Sequence, residues 1–277
     1  MCLDGDLLLS SLPISKTGKS VIEVIEETVR ISGGVLLSRF SQEKKIKSKG
    51  PKDIVTDVDV AVEKLIFEQL TSHFPDMGMI GEESFKGDMP GGFVWVVDPI
   101  DGTRNFAAGI PIFSIVLALS YDGEVVAGAN FDPKKNELFI AEKGKGAFLN
   151  GKQINISDKT ELEKSIIGMD LSYGDDGGRF GFEVIQKLWP DIQTVRIIGS
   201  SALGISYVAA GRTDLYFNYN LKPWDIAAGI LLVEEAGGVA TDRKGRKASL
   251  FSEGIIVSNQ KLHNSFLNIT DKMNWRN

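Results

Sequence analysis

Hydrophobic and polar residues recur with helical spacing in two early stretches of the chain. Between residues 20 and 40, apolar or small residues return every three to four positions on one face: Val21, Ile25, Val29, Ser32 and Leu36. A second series of this kind leads through residues 62–70. Because this spacing is typical of helices that bury one face, we predict two amphipathic helices. The lysine-rich residues 44–52 between them carry no such pattern and are predicted as a mobile loop.

Short apolar runs predict the strands. The clearest run, Phe93-Val94-Trp95-Val96-Val97, has no charge and is rich in Val and aromatic residues, so we expect a strand that is buried on both faces. Other strands are predicted at residues 77–81, 111–120, 125–130 and 138–141. Turn signals at Asp122-Gly123 and Asp132-Pro133 indicate that several of these strands are antiparallel neighbours.

From residue 166 onward, predicted strands and helices alternate, which is typical of a layered α/β unit. The strands are expected at 166–169, 194–198, 215–217, 238–240 and 255–258, and the helices at 182–188, 202–210, 226–236 and 261–272. Gly174-Asp175-Asp176-Gly177-Gly178 is predicted as a flexible surface loop. We expect a disordered extension over residues 1–18, an N-terminal α+β part over 19–150 and a C-terminal α/β part over 151–277.

Composition narrows the function classes. The 277 residues are 43% hydrophobic and 25% charged, as in an ordinary globular protein. A net charge of −6 argues against nucleic acid as the main partner. Cys2 is the only cysteine, which excludes a disulfide within the chain and favours a cytoplasmic location. Since no apolar run approaches the length of a membrane span, we expect no membrane partner.

The central apolar run ends in acids. Asp98 and Asp101 flank Pro99, which is expected to stop the strand, turn the chain and bring the two carboxylates to one spot. Close carboxylates repel one another unless one is protonated or a cation lies between them, and hard oxygen ligands suit Mg²⁺ or Mn²⁺. The backbone N–H groups of Gly102 and Thr103 follow, and at a helix start they would bind an anion.

When each of the other acids is considered alone, a purely structural role explains it. Asp57, Asp59 and Asp225 each stand where an acid could cap a helix start, and the pair Glu82-Glu83 could be solvated. Gly199-Ser200-Ser201-Ala202 reads as a strand-to-helix turn that holds either a substrate or only the helix start. His73 and His263 lie in polar helical contexts, which makes a catalytic histidine improbable.

Read together, three motifs resemble the inositol monophosphatase family of metal-dependent sugar-phosphate phosphatases. They are Glu82-Glu83, the run from Asp98 to Thr103, and Trp224-Asp225-Ile226-Ala227-Ala228-Gly229, with Asp57 and Asp59 upstream. The resemblance runs from about residue 20 to residue 258. It implies α, β, α, β, α layers of the inositol monophosphatase and fructose bisphosphatase type, and a homodimer.

The resemblance also implies roles for individual residues. Two to three Mg²⁺ ions are expected, with Mn²⁺ possible, and their ligands are Glu82, Asp98, the carbonyl of Ile100, Asp101 and Asp225. The catalytic residues are Thr103, which with Asp59 orients and helps to deprotonate the attacking water, and Glu82. The residues that bind substrate are Gly102, Thr103, Ser201, Asn218 and Asp225, with Asp170 in the same region. Lys47 matches the lysine of the family's mobile loop.

The implied activity is the Mg²⁺-dependent hydrolysis of inositol monophosphate, or a similar small polyol or sugar phosphate, by direct attack of water. Asn218 stands where inositol-specific members have Glu, and Arg104 departs from the commonest inositol pattern, either to contact substrate or as an exposed helix residue. Histidinol phosphate, fructose bisphosphate and nucleotide 3′(2′),5′-bisphosphate therefore stay open as substrates. A binding protein of the same fold that acts in RNA metabolism also stays open.

Overall fold

The computed structural model describes residues 12–50, 52–172 and 174–276, without the side chain of Asp175. Its helices are α1 (Val21–Phe40), α2 (Asp57–His73), α3 (Thr103–Ala107), α4 (Asp175–Leu188), α5 (Ser201–Ala209), α6 (Pro223–Glu235) and α7 (Gln260–Thr270). Ser20 and Glu23 form a capping box at the start of α1, in which each side chain binds the other residue's backbone N–H. The two predicted amphipathic helices are therefore confirmed.

Short polar strands replace the predicted lysine-rich loop. β1 (Ile46–Gly50) and β2 (Asp53–Thr56) form an antiparallel hairpin whose first four residues are exposed. The prediction of a loop was wrong because β1 has no buried face and so shows no hydrophobic alternation.

A seven-stranded sheet forms the larger layer. Its strands, in spatial and in chain order, are β3 (Gly78–Gly81), β4 (Phe93–Asp101), β5 (Ser114–Tyr121), β6 (Glu124–Asp132), β7 (Glu137–Glu142), β8 (Gly146–Leu149) and β9 (Lys152–Ile154). β3 and β4 are parallel, whereas every later pair is antiparallel, as the turn signals indicate.

β4 is buried on both faces, as predicted. Val94 and Val96 lie in one hydrophobic cluster with α5 and α6, and Trp95 and Val97 lie in another with α1 and α2. Alternate side chains of a strand point to opposite faces, so β4 contacts both helical layers of the core.

A five-stranded sheet forms the second β layer. Its order is β11 (Thr194–Ile197), β10 (Ile166–Met169), β12 (Leu215–Asn218), β14 (Ile255–Ser258) and β13 (Val239–Thr241). α5 and α6 pack between the two sheets, and α4 and α7 cover the outer face of the smaller one. The predicted α, β, α, β, α layering is confirmed.

Two other segments differ from the predictions. Residues 175–178, predicted as part of a loop, belong to the first turns of α4. Residues 12–18, predicted as disordered, contact the body through a bridge between Ile14 and Ser20 and a 2.8 Å hydrogen bond between Thr17 Oγ1 and His73 Nδ1. Residues 1–11 lie outside the described residues.

The division of the chain near residue 150 stays a prediction. The larger sheet lies within residues 78–154 and the smaller within 166–258, but α6 packs on both, so the two parts share one core. Within the described ranges, no helix is both long and apolar enough to cross a bilayer.

Candidate active site

The end of β4 carries the first acids of the site. The strand continues through Pro99 to Asp101, with a register shift against β5 between Asp98 and Asp101. The prediction that Pro99 ends the strand was therefore wrong, because an irregularity in the pairing accommodates a residue without an N–H. The shift leaves Asp98 and Asp101 at the same edge of the sheet, and Asp98 Oδ1 accepts a 2.9 Å hydrogen bond from the N–H of Ile100.

Asp101 is fixed by the start of α5. Its Oδ1 accepts hydrogen bonds from the N–H and the hydroxyl of Ser201, at 3.1 and 3.0 Å. Its Oδ2 accepts a hydrogen bond from Ser114 Oγ at 3.1 Å, one from Ala202 N at 3.1 Å, and one from the hydroxyl of Ser200. Ser200 is the N-cap of α5, so the predicted strand-to-helix turn positions a site acid as well as the helix start.

Asp225 reaches the same place from α6. Ligand-competent oxygens of Asp98, Asp101 and Asp225 all lie within 4.8 Å of one another. Asp225 is the third residue of its helix rather than its N-cap, and its Oδ2 accepts a 2.7 Å hydrogen bond from the N–H of the N-cap residue, Lys222. Glu82, which follows β3, lines the same cavity. Acids from three separate stretches of the chain therefore meet.

The charges of these acids oppose one another. Burial, followed by the negative charges of neighbouring acids, raises the pKa of Asp98 and of Asp225 well above the usual carboxyl range. Burial also raises the pKa of Glu82, and the nearby Lys49 ammonium partly offsets this rise. Burial raises the pKa of Asp101 as well, and the hydrogen bonds from serine hydroxyls partly offset that rise. A cluster of carboxylates this close is stabilised either by protons or by cations.

The donor set fits a hard divalent cation. Carboxylate oxygens from Glu82, Asp98, Asp101 and Asp225, together with a backbone carbonyl, are the oxygen ligands that Mg²⁺ and Mn²⁺ prefer. Among the described residues that line this cavity there is no thiol and no imidazole, which are the ligands that softer metals prefer.

Thr103 links the acids to Asp59. Its Oγ1 lies 3.0 Å from Asp59 Oδ1 and 2.9 Å from the carbonyl oxygen of Ile100. Asp59 is fully buried at the third position of α2, where Thr56, and not Asp57 or Asp59, is the N-cap. Burial raises the pKa of Asp59.

A fixed polar network forms another part of the cavity wall. Asn218 Oδ1 accepts a 2.9 Å hydrogen bond from Ser172 Oγ, and Asn218 Nδ2 lies 3.3 Å from the Tyr216 hydroxyl. That hydroxyl donates to Asp170 Oδ2 at 3.0 Å. Burial raises the pKa of Asp170 to about 6. The orientation of the Asn218 amide is therefore set by its neighbours.

Glycine is required at the turn that begins α3. Gly102 has φ of 95°, and a Cβ there would lie 3.1 Å from the carbonyl oxygens of Gly199 and Ile112. Arg104 is exposed and also lines the cavity, whose volume is about 240 Å³. The structure thus places Glu82, Asp98, Ile100, Asp101, Gly102, Thr103, Ser201, Asn218 and Asp225 around one cavity, with Asp59 behind Thr103.

Sequence reasoning missed several residues of the site. Lys49, and not Lys47, contacts the acids, because its Nζ lies 2.8 Å from Glu82 Oε1 and 2.6 Å from Glu83 Oε1. Asn105 Nδ2 donates 2.8 Å hydrogen bonds to the carbonyls of Ile112 and Ile198, which joins α3 to the smaller sheet. The DGTRN sequence that contains Asn105 was the only signal for it.

The raised pKa values predict a pH dependence of stability in the presence of a chelator. A carboxyl group whose pKa is raised by folding keeps its proton in the folded state after the unfolded chain has lost it, so its contribution to the free energy of unfolding falls as pH rises above about 4. Asp98→Asn removes one such group. For each pH we compare the free energy of unfolding of the variant with that of the original chain. We expect this difference to shift in favour of the variant by roughly 1–3 kcal/mol when the pH is raised from 4 to 8. Urea unfolding at both pH values measures this, and an unchanged difference would contradict it.

Comparisons with known proteins agree with this geometry. The model of the inositol monophosphatase family matches residues 18–273. A fructose-1,6-bisphosphatase/inositol-1-monophosphatase of Thermotoga maritima is 39% identical over 88% of this chain and 93% of its own. An inositol monophosphatase of Dictyostelium discoideum is 36% identical over 92% of this chain and 95% of its own.

The fold matches solved structures as well. The extragenic suppressor protein suhB of Bartonella henselae superposes with a TM-score of 0.86 at 34% identity, over 91% of this chain and 98% of that one. The chain therefore belongs to the inositol monophosphatase family, an enzyme family of phosphoric monoester hydrolases.

Proposed function

We propose that the protein is a Mg²⁺-dependent phosphatase that hydrolyses a small polyol or sugar phosphate by direct attack of water. The observation that supports this most strongly is the convergence of Glu82, Asp98, Asp101 and Asp225 on the cavity that Thr103 also lines. Without a counter-cation, this acidic cavity would repel a phosphate ester. We propose two to three Mg²⁺ ions, which Mn²⁺ could replace, as that counter-charge.

The acids would hold the metal ions and the other residues would guide the water. Glu82, Asp98 and the Ile100 carbonyl would hold one ion, and Asp98, Asp101 and Asp225 a second, with Glu82 shared by any third. When bound, such ions neutralise phosphoryl charge and make water more acidic.

Thr103 and Asp59 would act on the attacking water. The Thr103 hydroxyl, when it donates to Asp59 Oδ1 at 3.0 Å, keeps its lone pairs free to accept a hydrogen bond from the water. Burial raises the pKa of Asp59 and so makes its carboxylate a better proton acceptor than an exposed one. The pair therefore orients the water and provides a path for its proton.

The start of α3 would bind the phosphoryl oxygens. Its first N–H groups, at Gly102 and Thr103, have no acceptor within the helix and would bind an anion, which the helix dipole also favours. Ser201, Asn218 and Asp225 line the cavity and would contact the alcohol portion of the substrate. Inositol monophosphate and similar polyol phosphates carry the hydroxyl groups that these polar side chains can bind.

Arg104 supports a second candidate substrate. Because Arg104 lines the cavity, a substrate with a second phosphate, such as fructose bisphosphate, would gain an attractive contact there. The relative from Thermotoga maritima is named for both activities. A nucleotide 3′(2′),5′-bisphosphate also carries a second phosphate and would gain the same contact, whereas histidinol phosphate carries only one. The predicted homodimer and cytoplasmic location stay predictions.

Phosphate release from a panel of esters tests the proposal. The full chain is incubated with inositol monophosphate, fructose bisphosphate, histidinol phosphate and a nucleotide 3′,5′-bisphosphate, with Mg²⁺ or with a chelator. We expect turnover of a polyol or sugar phosphate with Mg²⁺ and none with the chelator. Turnover that persists in the chelator would contradict the metal-dependent mechanism, and no turnover of any ester would favour a binding protein of the same fold.

A further inference from the structure

Lys49 makes a cation contact with the acids that no motif predicted. Its Nζ bridges Glu82 Oε1 at 2.8 Å and Glu83 Oε1 at 2.6 Å. The exposed fractions of the three side chains are 24%, 15% and 8%. Because all three are largely removed from water, this ion pair is screened less than a surface pair.

The hairpin that carries Lys49 is fastened firmly at its base. Asp57 lies directly after β2, and its N–H donates a 3.0 Å hydrogen bond to the carbonyl of Lys45. Its Oδ1 accepts a 2.9 Å hydrogen bond from the N–H of Lys45. Among the described strands, β1 and β2 pair only with each other. Lys49 lies near the other end of β1, next to the turn, and joins that end of the hairpin to the acids.

The other side of the contact is rigid. The N–H of Glu83 donates a 2.9 Å hydrogen bond to Oε2 of Glu63, which is only 4% exposed. Gly81 permits this approach, since a Cβ there would lie 2.2 Å from the same oxygen. The turn that presents Glu82 and Glu83 is therefore held by Glu63, and we expect the hairpin to be the partner that moves.

We propose that Lys49 is a positioning residue that fastens the β1–β2 hairpin to Glu82 and Glu83 and lowers the affinity of the acidic cluster for divalent cations. The inference rests on the metal site of the proposed function, because Glu82 is shared. A cation at the cluster and the ammonium at Glu82 repel each other across a few ångströms of partly buried space. Coupling between two binding events is reciprocal, so a bound cation weakens the hold of Lys49 on the acids.

Calorimetric titration of the metal-free full chain with Mg²⁺ tests the first half of this proposal. Lys49→Met removes the charge with little change of side-chain volume, and we expect it to bind Mg²⁺ about 10-fold more tightly than the original chain. Lys47→Met, on the same exposed strand, is the matched control and is expected to change the affinity less than about 2-fold. Lys49→Arg keeps the charge and should keep the original affinity.

Amide hydrogen exchange over residues 46–50 tests the second half. We expect Mg²⁺ to speed exchange in the original chain and to have no effect in Lys49→Met, in which the contact is already lost. A purely structural role for Lys49 would not make exchange depend on Mg²⁺.

The outcomes separate this inference from the proposed function. Equal Mg²⁺ affinity in the original chain and in Lys49→Met, or exchange that Mg²⁺ does not speed, would overturn the inference alone. Failure of the original chain to bind Mg²⁺ would overturn the proposed function and the inference together.

Discussion

Replacement of Asp98 by Asn is expected to lower kcat for the best ester by about 10³-fold or more, which corresponds to roughly 4 kcal/mol of transition-state stabilisation. Asp98 is 1% exposed and lies between the other acids, where the proposed site uses it for both metal ions. The amide keeps the shape of the side chain but removes its charge. Steady-state phosphate release at saturating Mg²⁺ measures the effect.

Asp191→Asn is the matched control for this substitution. Asp191 is exposed and lies in the turn that follows α4, so its neutralisation should leave kcat unchanged within about 2-fold. Circular dichroism should show that the Asp98→Asn chain is folded. If a folded Asp98→Asn enzyme kept most of its turnover, Asp98 would not belong to the catalytic site.

Thr103→Val is expected to lower kcat by about 10²–10⁴-fold with little change in KM. Valine fills the space of the buried threonine but lacks the hydroxyl that lies 3.0 Å from Asp59 Oδ1. The loss falls on kcat because the proposed role of the hydroxyl, to orient water, concerns the transition state more than substrate binding. Separate measurement of kcat and KM tests this division.

Thr103→Ser provides the rescue control, since it restores the hydroxyl and should recover activity to within about 10-fold. Equal loss in the serine and valine variants would mean that the methyl group, or the packing of α3, matters more than the hydroxyl. A rise in KM alone would place the Thr103 hydroxyl in substrate binding and not in the activation of water.

The sequence pattern predicted many of the buried strands and helices because their patterns are strong, whereas the order of the layers came from the family resemblance. The run from Phe93 to Val97 has no charge, and five apolar or small residues recur on one face of α1. In both segments the local sequence pattern agrees with the tertiary packing. The hairpin of β1 and β2 shows the opposite case. Its first strand, β1, is exposed and mostly polar, and no hydrophobic alternation marks it.

The start of α4 was missed for a different reason. Glycines at 177 and 181 have low helix propensity, which favoured a loop. In the fold they allow close packing, since a Cβ at Gly177 would lie 2.7 Å from Ser172 Cβ and one at Gly181 would lie 2.8 Å from Met169 Cε. Tertiary contacts here override the local preference.

The site was predictable only in part from individual residues. Asp98 and Asp101 could be paired from the strand that precedes them, but nothing local indicates that Asp225 joins them from α6, and only the family resemblance grouped these acids. Neither approach could choose Lys49 over Lys47, because both lie in one run of lysines and the choice depends on how the hairpin folds against Glu82 and Glu83.

Anomalous X-ray diffraction from crystals of the protein soaked in Mn²⁺ tests the central claim most directly, because it locates the ion independently of any substrate. The proposed site predicts an anomalous peak within coordination distance, about 2.0–2.4 Å, of carboxylate oxygens of Asp98 and Asp225, with Asp101 or Glu82 completing the set. Mn²⁺ bound only elsewhere on the protein, or no peak at these acids at saturating Mn²⁺, would contradict it.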